Sequence, residues 1–184
     1  MSERLPLLNT ADRYGGLNIA LHWLVALGVL ILYPLGLYIE SLDYYDPQYL
    51  TVPQWHKTLG VVVALCLIVR LMLRAASATP KPVGTAGLQH LLARLVHTML
   101  YLLLFVTVVS GYLIVTAEGK PLVLLWDISL PALPVTINDL EEYAGEVHFI
   151  AATLILGLAG LHMLAALKHH FIDRDNTLKR MLGK

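Results

Sequence analysis

The chain has 184 residues, of which 57% are hydrophobic and only 14% are charged. Soluble domains average about 45–50% apolar and about 25% charged residues, so this composition excludes an ordinary water-soluble domain and favours an integral membrane protein. Lys and Arg number 13, as do Asp and Glu, so no net positive charge favours nucleic-acid binding. The single cysteine, Cys66, excludes an internal disulfide and a cysteine-based zinc site.

Four apolar stretches are long enough to cross a bilayer as helices, which takes about 20 residues. They cover residues 17–39, 52–73, 91–115 and 147–167. Their continuous apolar character favours helices over the alternating strands of a barrel. A fifth apolar piece, residues 121–137, is interrupted by three prolines and Asp127. It predicts a loop on the membrane surface, within the longer connecting loop at 116–146. The sequence therefore predicts a single all-α membrane domain, a four-helix transmembrane bundle.

Basic residues concentrate at one end of this predicted bundle. With four spans, both termini lie on the same side, and that side holds eleven Lys and Arg, against Lys57 and Lys120 on the other. Cytoplasmic segments of membrane proteins are rich in Lys and Arg, so we predict that both termini are cytoplasmic. This bias alone explains Arg70 and Arg74 at the end of the second span. The opposite side carries nine Asp and Glu against its two Lys, a net charge of −7.

Histidines supply the chemistry, because polar residues in spans often mark ion pathways, proton relays or cofactor ligands. His148 and His162 are 14 residues apart, which is nearly four helical turns, so they project from almost the same face about 21 Å apart. His22 is level with His162, and His56 is level with His148. Two pairs at two depths form the arrangement that a bundle needs to hold two haems, each ligated from opposite sides.

Simpler explanations exist for several of these residues. His90 fits an interfacial residue that hydrogen-bonds to backbone or water, and His169 lies in a basic tail where a solvated role is equally suitable. Gly60, Gly157 and Gly160 leave room for a flat macrocycle, but close helix packing explains them as well. A zinc site would need three or four ligands at one point, whereas these histidines divide between two depths. A third class of function that the sequence leaves open is a non-redox scaffold, or a transporter for metal ions or protons.

Several motifs resemble the bacterial cytochrome b561 family. They are IALHWL at 19–24, QWHKTLG at 54–60, HTMLYLL at 97–103 and SGY at 110–112. The most specific match is GLHMLAALKHHF at 160–171, followed by DNTLKRM at 175–181. The resemblance extends over nearly the whole chain, and the acidic outer loops are its weakest part.

The resemblance implies a four-helix membrane protein with two b-type haems, each bound by two histidines. Residue by residue, it implies that His22 and His162 bind the cytoplasmic-side haem iron, and that His56 and His148 bind the periplasmic-side haem iron. Two further family positions near the inner haem match His97 and His169, which are candidates for hydrogen bonding to a quinone carbonyl.

The resemblance also implies a location in the bacterial inner membrane, with the loop at 116–146 on the periplasmic side, and electron transfer between the periplasmic face and the membrane quinone pool. One branch of the family oxidises periplasmic superoxide and reduces ubiquinone, and this oxidoreductase activity is the most specific function that we predict. Other branches are cytochrome b subunits that connect quinone to a hydrogenase or another redox partner. The acidic periplasmic face favours this alternative, with a basic redox protein docked there, because superoxide is an anion. Lys57, next to His56, provides a local positive charge for superoxide.

Overall fold

The computed structural model describes residues 5–81, 83, 87–132 and 137–184. Its four long helices are α1 (Gly16–Ser41), α2 (Thr51–Ala76), α3 (Leu88–Thr116) and α4 (Leu140–Phe171). Each is long and apolar enough to cross a membrane, which confirms the all-α prediction with four candidate spans. Cytoplasmic location of the termini stays a prediction.

Every helix extends beyond the apolar stretch from which it was predicted. The largest difference is at α4, whose first two turns are residues 140–146, a segment that the sequence assigned to the loop. Glu141 and Glu142 lie in its first turn, and Lys168 lies in its last turn. Acidic residues at the start of a helix and basic residues at its end interact favourably with the helix dipole. A hydropathy profile does not detect such polar turns, because they lie outside the hydrocarbon and need not be apolar.

The helices form two antiparallel hairpins. α1 packs against α2, α3 packs against α4, and contacts between the two hairpins are much sparser. Leu21 and Val25 of α1, with Val63 and Leu67 of α2, are among the buried apolar residues. Most other large apolar side chains of the spans are exposed, as expected for helices whose outer surface contacts lipid tails.

The connection between α3 and α4 folds onto one end of the bundle. It contains a short antiparallel ribbon of β1 (Leu122–Val123) and β2 (Ser129–Leu130). The backbone N–H of Leu125 donates to Oγ1 of Thr58 in α2 at 3.0 Å, and the hydroxyl of Tyr112 donates to the carbonyl of Pro131. The connection is therefore attached to two helices. Residues 133–136, also within the predicted loop, lie outside the described residues.

The opposite end carries the N-terminal segment and a short helix, α5 (Thr177–Met181). Trp23 Nε1 of α1 donates to the carbonyl of Met181 at 2.9 Å. The first and last residues that the structure describes therefore lie at the same end of the bundle, as an even number of spans requires.

Candidate functional site

Four histidines form two pairs that bridge the hairpins. The ring centroids of His22 in α1 and His162 in α4 are 6.3 Å apart. Those of His56 in α2 and His148 in α4 are 6.2 Å apart. These are the same two couples that helical depth predicts from the sequence, and their α4 members lie about 21 Å apart along the helix axis.

The spacing of each pair fits one metal ion between two imidazoles. An imidazole nitrogen binds a metal at about 2.0–2.1 Å and lies ~1.1 Å from its ring centre, so two opposed ligands place their centroids ~6.2 Å apart. Both pairs have this separation. His97 is also near His162, but their centroids are only 5.1 Å apart, which is too short for an ion between these two rings. The centroid spacing of each predicted pair is therefore compatible with one iron between its two rings.

Backbone and glycine contacts orient His56 and His148, which we call the outer pair; His22 and His162 are the inner pair. His148 Nδ1 lies 2.8 Å from the carbonyl oxygen of Thr107 and donates to it, which leaves Nε2 available as a ligand. A Cβ on Gly111 would lie 2.9 Å from His148 Cε1, and a Cβ on Gly36 would lie 3.3 Å from His56 Cε1. Each ring is thus seated against a glycine of the neighbouring helix, where a side chain would displace it.

The remaining span glycines divide between two roles. Gly28 serves helix packing, because a Cβ there would lie 2.4 Å from Val63 Cγ2. A Cβ on Gly60, Gly157 or Gly160 would meet no other heavy atom within 4 Å. Packing within this chain therefore does not require glycine at these three positions, and a bulky planar group beside the histidines fits there.

A polar cluster that the sequence analysis missed lies beside the inner pair. Arg70 Nε donates to the hydroxyl of Tyr101 at 2.8 Å, and its Nη1 donates to the carbonyl of Asn18 at 3.1 Å. The guanidinium groups of Arg70 and Arg74 lie 5.9 and 5.7 Å from the centre of the Tyr101 ring. Asn18 is buried, and its Nδ2 has no hydrogen-bond partner among the described residues. Asn18 is four residues before His22, on the same helix face, and that spacing was the available signal.

The two quinone candidates have different surroundings. His97 of α3 packs on the ring of His162. His169 lies two turns beyond His162 on α4, and its Nδ1 donates to Oδ2 of Asp175 at 2.8 Å and lies 3.1 Å from Oδ2 of Asp173. Burial would raise the pKa of Asp175, but hydrogen bonds from Thr177 and His169 lower it below its ordinary value.

Other titratable residues have local partners. In the part of the chain that the structure describes, the only group of three His, Cys, Asp or Glu close enough to share an ion is His169, Asp173 and Asp175. Lys168 Nζ lies 2.7 Å from Asp173, so this group forms an ion-pair network without a metal. His90 Nε2 donates to the carbonyl of Val83 at 3.0 Å, the contact expected of an interfacial histidine.

Comparisons with known proteins agree with this geometry. A family model described as prokaryotic cytochrome b561 matches residues 13–184. The chain is 42% identical to "Cytochrome b561 homolog 2" of Escherichia coli K12, over 96% of this chain and 94% of that protein. It is 28% identical to "Probable superoxide oxidase CybB" of Yersinia pestis (94% and 97% covered) and 27% identical to "Cytochrome b561 homolog 1" of Escherichia coli K12 (94% and 98%).

The chain belongs to the prokaryotic cytochrome b561 family. Membership confirms the resemblance seen in its motifs and makes this chain a multi-pass membrane protein of electron transfer that binds b-type haem. The scaffold and transporter alternatives are thereby set aside. Family membership does not specify the number of haems, their ligands, the quinone or the outer electron donor.

Proposed function

We propose that this cytochrome b561 transfers electrons across the bacterial inner membrane between its periplasmic face and ubiquinone, through two b-type haems. His22 and His162 hold the inner haem, and His56 and His148 hold the outer one. The supporting observation is that both pairs have the centroid spacing of opposed ligands, at two depths on one helix. The termini are cytoplasmic in this proposal, as the distribution of Lys and Arg predicts.

The protein's contribution is to hold and orient the ligands in a dry bundle. A b-type haem held by each histidine pair would supply outer-sphere electron transfer rather than oxygen activation, because the chain itself would provide both protein ligands. The Thr107 carbonyl fixes the tautomer and orientation of His148. Gly36 and Gly111 admit the outer rings, and the apolar surfaces of the four spans exclude water.

The inner end provides hydrogen-bond donors for ubiquinone. Reduction of a quinone takes two electrons and two protons, and negative charge develops on its carbonyl oxygens, so the site needs donors and a proton source. His97, in contact with His162, is the proposed donor to one carbonyl. His169, oriented by Asp175, is the proposed group that exchanges protons with the aqueous side.

Superoxide is the first candidate for the outer electron donor. The name superoxide oxidase belongs to a relative at 28% identity, whereas the name of the relative at 42% identity specifies no substrate. Lys120 is paired with Glu118. Lys57 makes no ion pair among the described residues, so its charge is available to attract an anion close to His56. The proposed activity is superoxide oxidation coupled to ubiquinone reduction.

A basic periplasmic redox protein is the second candidate, favoured by the outer net charge of −7. Stopped-flow reduction of the haem-loaded protein at increasing salt, with wild type and Lys57→Gln, separates the two. For superoxide steered by Lys57, the wild-type rate falls with salt, and Lys57→Gln lowers the rate and removes that dependence. For a basic protein donor, Lys57→Gln leaves the rate unchanged or raises it. Lys120→Gln is the matched control, because it makes the same change in the net charge of this face at a lysine that is paired with Glu118 and is not adjacent to a proposed ligand.

Haem content tests the ligand assignment directly. His56→Ala and His162→Ala should each bind one haem instead of two, with loss of different spectral components. His90→Ala, which removes a histidine outside both pairs, should retain both haems. Two fully loaded, spectrally unaltered haems in both ligand variants would refute the proposed electron pathway.

A further inference from the structure

A basic cleft lies at the end of the bundle that carries both termini. The N-terminal segment, the connection after α2, and α5 with the residues that follow it form its walls, and its volume is about 430 Å³. Its polar lining residues are Asp12, Lys81, Asn176, Lys179, Arg180 and Lys184. A volume in this range is sufficient for a small ligand or a headgroup.

Long-range contacts hold the cleft walls together. Arg180 Nη1 donates to the carbonyl of Lys81, and its Nη2 donates to the carbonyl of Asp12, both at 2.8 Å. The backbone N–H of Lys81 donates to the carbonyl of Ala11 at 2.9 Å. The Arg180 guanidinium also lies 5.5 Å from the centre of the Tyr14 ring. The three segments therefore form one built site rather than a chance meeting of tails.

The charge of the cleft is unbalanced. Four basic side chains line it, against one acidic side chain. Across the described ranges, the ammonium groups of Lys81, Lys179 and Lys184 make no ion pair or hydrogen bond, whereas Lys168, on neighbouring α4, is paired with Asp173. Unpaired cations that share a cleft repel each other, so an anion with several acceptor oxygens stabilises the site.

Its position relative to the bilayer favours a lipid over a soluble anion. Trp23, which is 38% exposed, joins α1 to α5 through its hydrogen bond to Met181. Tryptophan is enriched at the membrane–water interface, where lipid phosphates lie. Exposed Ile172 and Leu182 flank α5 and provide apolar surface at the same end. Basic pockets at the cytoplasmic ends of transmembrane helices are suited to anionic headgroups.

We propose that this cleft binds the phosphate of an anionic glycerophospholipid, with Lys81 and Lys179 as the principal contacts. Arg180 holds the walls and adds positive charge. The site is separate from the histidine pairs, so this binding does not depend on the redox role of the protein.

Titration calorimetry of the haem-loaded protein in a neutral detergent tests the proposal. The probes are short-chain phosphatidylglycerol, short-chain phosphatidylcholine and free glycerol phosphate. We expect saturable binding of phosphatidylglycerol that weakens with salt, and much weaker binding of the other two. Lys81→Gln and Lys179→Gln should each weaken binding about fivefold, and the double variant about 25-fold.

Two matched variants control for net charge and for folding. Arg94→Gln, at the same end of the bundle but outside the cleft, and Lys120→Gln, at the other end, should leave binding within about twofold of wild type, a change below that expected for one lysine contact. Lys179→Arg keeps the charge and should keep the affinity, and the haem spectrum confirms that each variant is folded. If the double variant does not load haem, the salt dependence of phosphatidylglycerol binding by the wild-type protein tests the proposal instead.

Equal affinity of wild type and the folded double variant would overturn the proposal, as would binding that salt does not weaken. Glycerol phosphate bound as tightly as phosphatidylglycerol would also overturn it and assign the cleft to a soluble phosphate.

Discussion

Gly111→Ala is expected to disable the proposed outer haem site while the proposed inner site stays intact. The added Cβ would lie 2.9 Å from His148 Cε1 and 3.0 Å from its Nδ1, whereas ordinary contacts begin at 3.4 Å. The ring must therefore move by about 0.5 Å, which exceeds the tolerance of about 0.2 Å for a metal–ligand distance. The same movement strains the 2.8 Å hydrogen bond from His148 to Thr107.

Disruption of the contacts that orient a ligand typically costs about 10–100-fold in metal affinity, and this is the loss expected at the outer site. The assay is the haem-to-protein ratio at limiting haem, together with reduced-minus-oxidised spectra. The spectrum of the inner haem, for which we propose His22 and His162 as ligands, reports in the same sample that the bundle has folded.

Substitutions at two further glycines provide a milder case and a control for this prediction. Gly36→Ala brings a Cβ to 3.3 Å from His56 Cε1 and should have a smaller effect, while a Cβ on Gly145 of α4 meets no other heavy atom within 4 Å. Because alanine stabilises a helix interior by about 1 kcal/mol relative to glycine, Gly145→Ala should load both haems and melt no lower than wild type. Full loading of Gly111→Ala with an unchanged outer spectrum would refute the seating of His148 against this glycine.

Three other substitutions have defined outcomes. His97→Ala should keep both haems but slow ubiquinone reduction, because it removes a donor beside the inner site; unchanged quinone kinetics would remove that role. Asp175→Asn should lower the melting temperature at neutral pH. The pKa of Asp175 lies below its ordinary value of 3.8, so its stabilising effect is present above that value and disappears as pH falls through the lower, folded-state value. Melting curves of the variant and wild type should therefore converge in acid, and a constant difference would contradict this. Thr58→Val should lower the free energy of unfolding by about 1 kcal/mol and speed hydrogen exchange at the Leu125 amide, because this N–H loses its acceptor. Thr51→Val is the control, since the Thr51 hydroxyl is exposed and donates only to the nearby backbone.

The bilayer explains why the sequence alone was sufficient for the general architecture. A helix crosses hydrocarbon only if about 20 consecutive residues are apolar, so the spans are a local property of the chain. The 14-residue separation of His148 and His162 is also local, and helical geometry converts it directly into one face and two depths. Those two facts, with the matching depths of His22 and His56, were enough to predict both pairs.

Contacts between distant residues decided what the sequence left open. Gly28 and Gly111 look alike in an apolar run, and only the neighbouring helix shows that one meets Val63 and the other meets His148. Likewise, the distribution of basic residues between the two membrane sides accounts for Arg70, whereas the fold places it against Tyr101, 31 residues away.

Hydropathy and periodicity describe one helix at a time, and therefore predict which residues cross the bilayer and which face they share. The seating of the rings, the polar cluster around Asn18 and the basic cleft at α5 arise from the docking of separate segments. Their positions depend on tertiary packing, because no single helix contains all of the groups that form them.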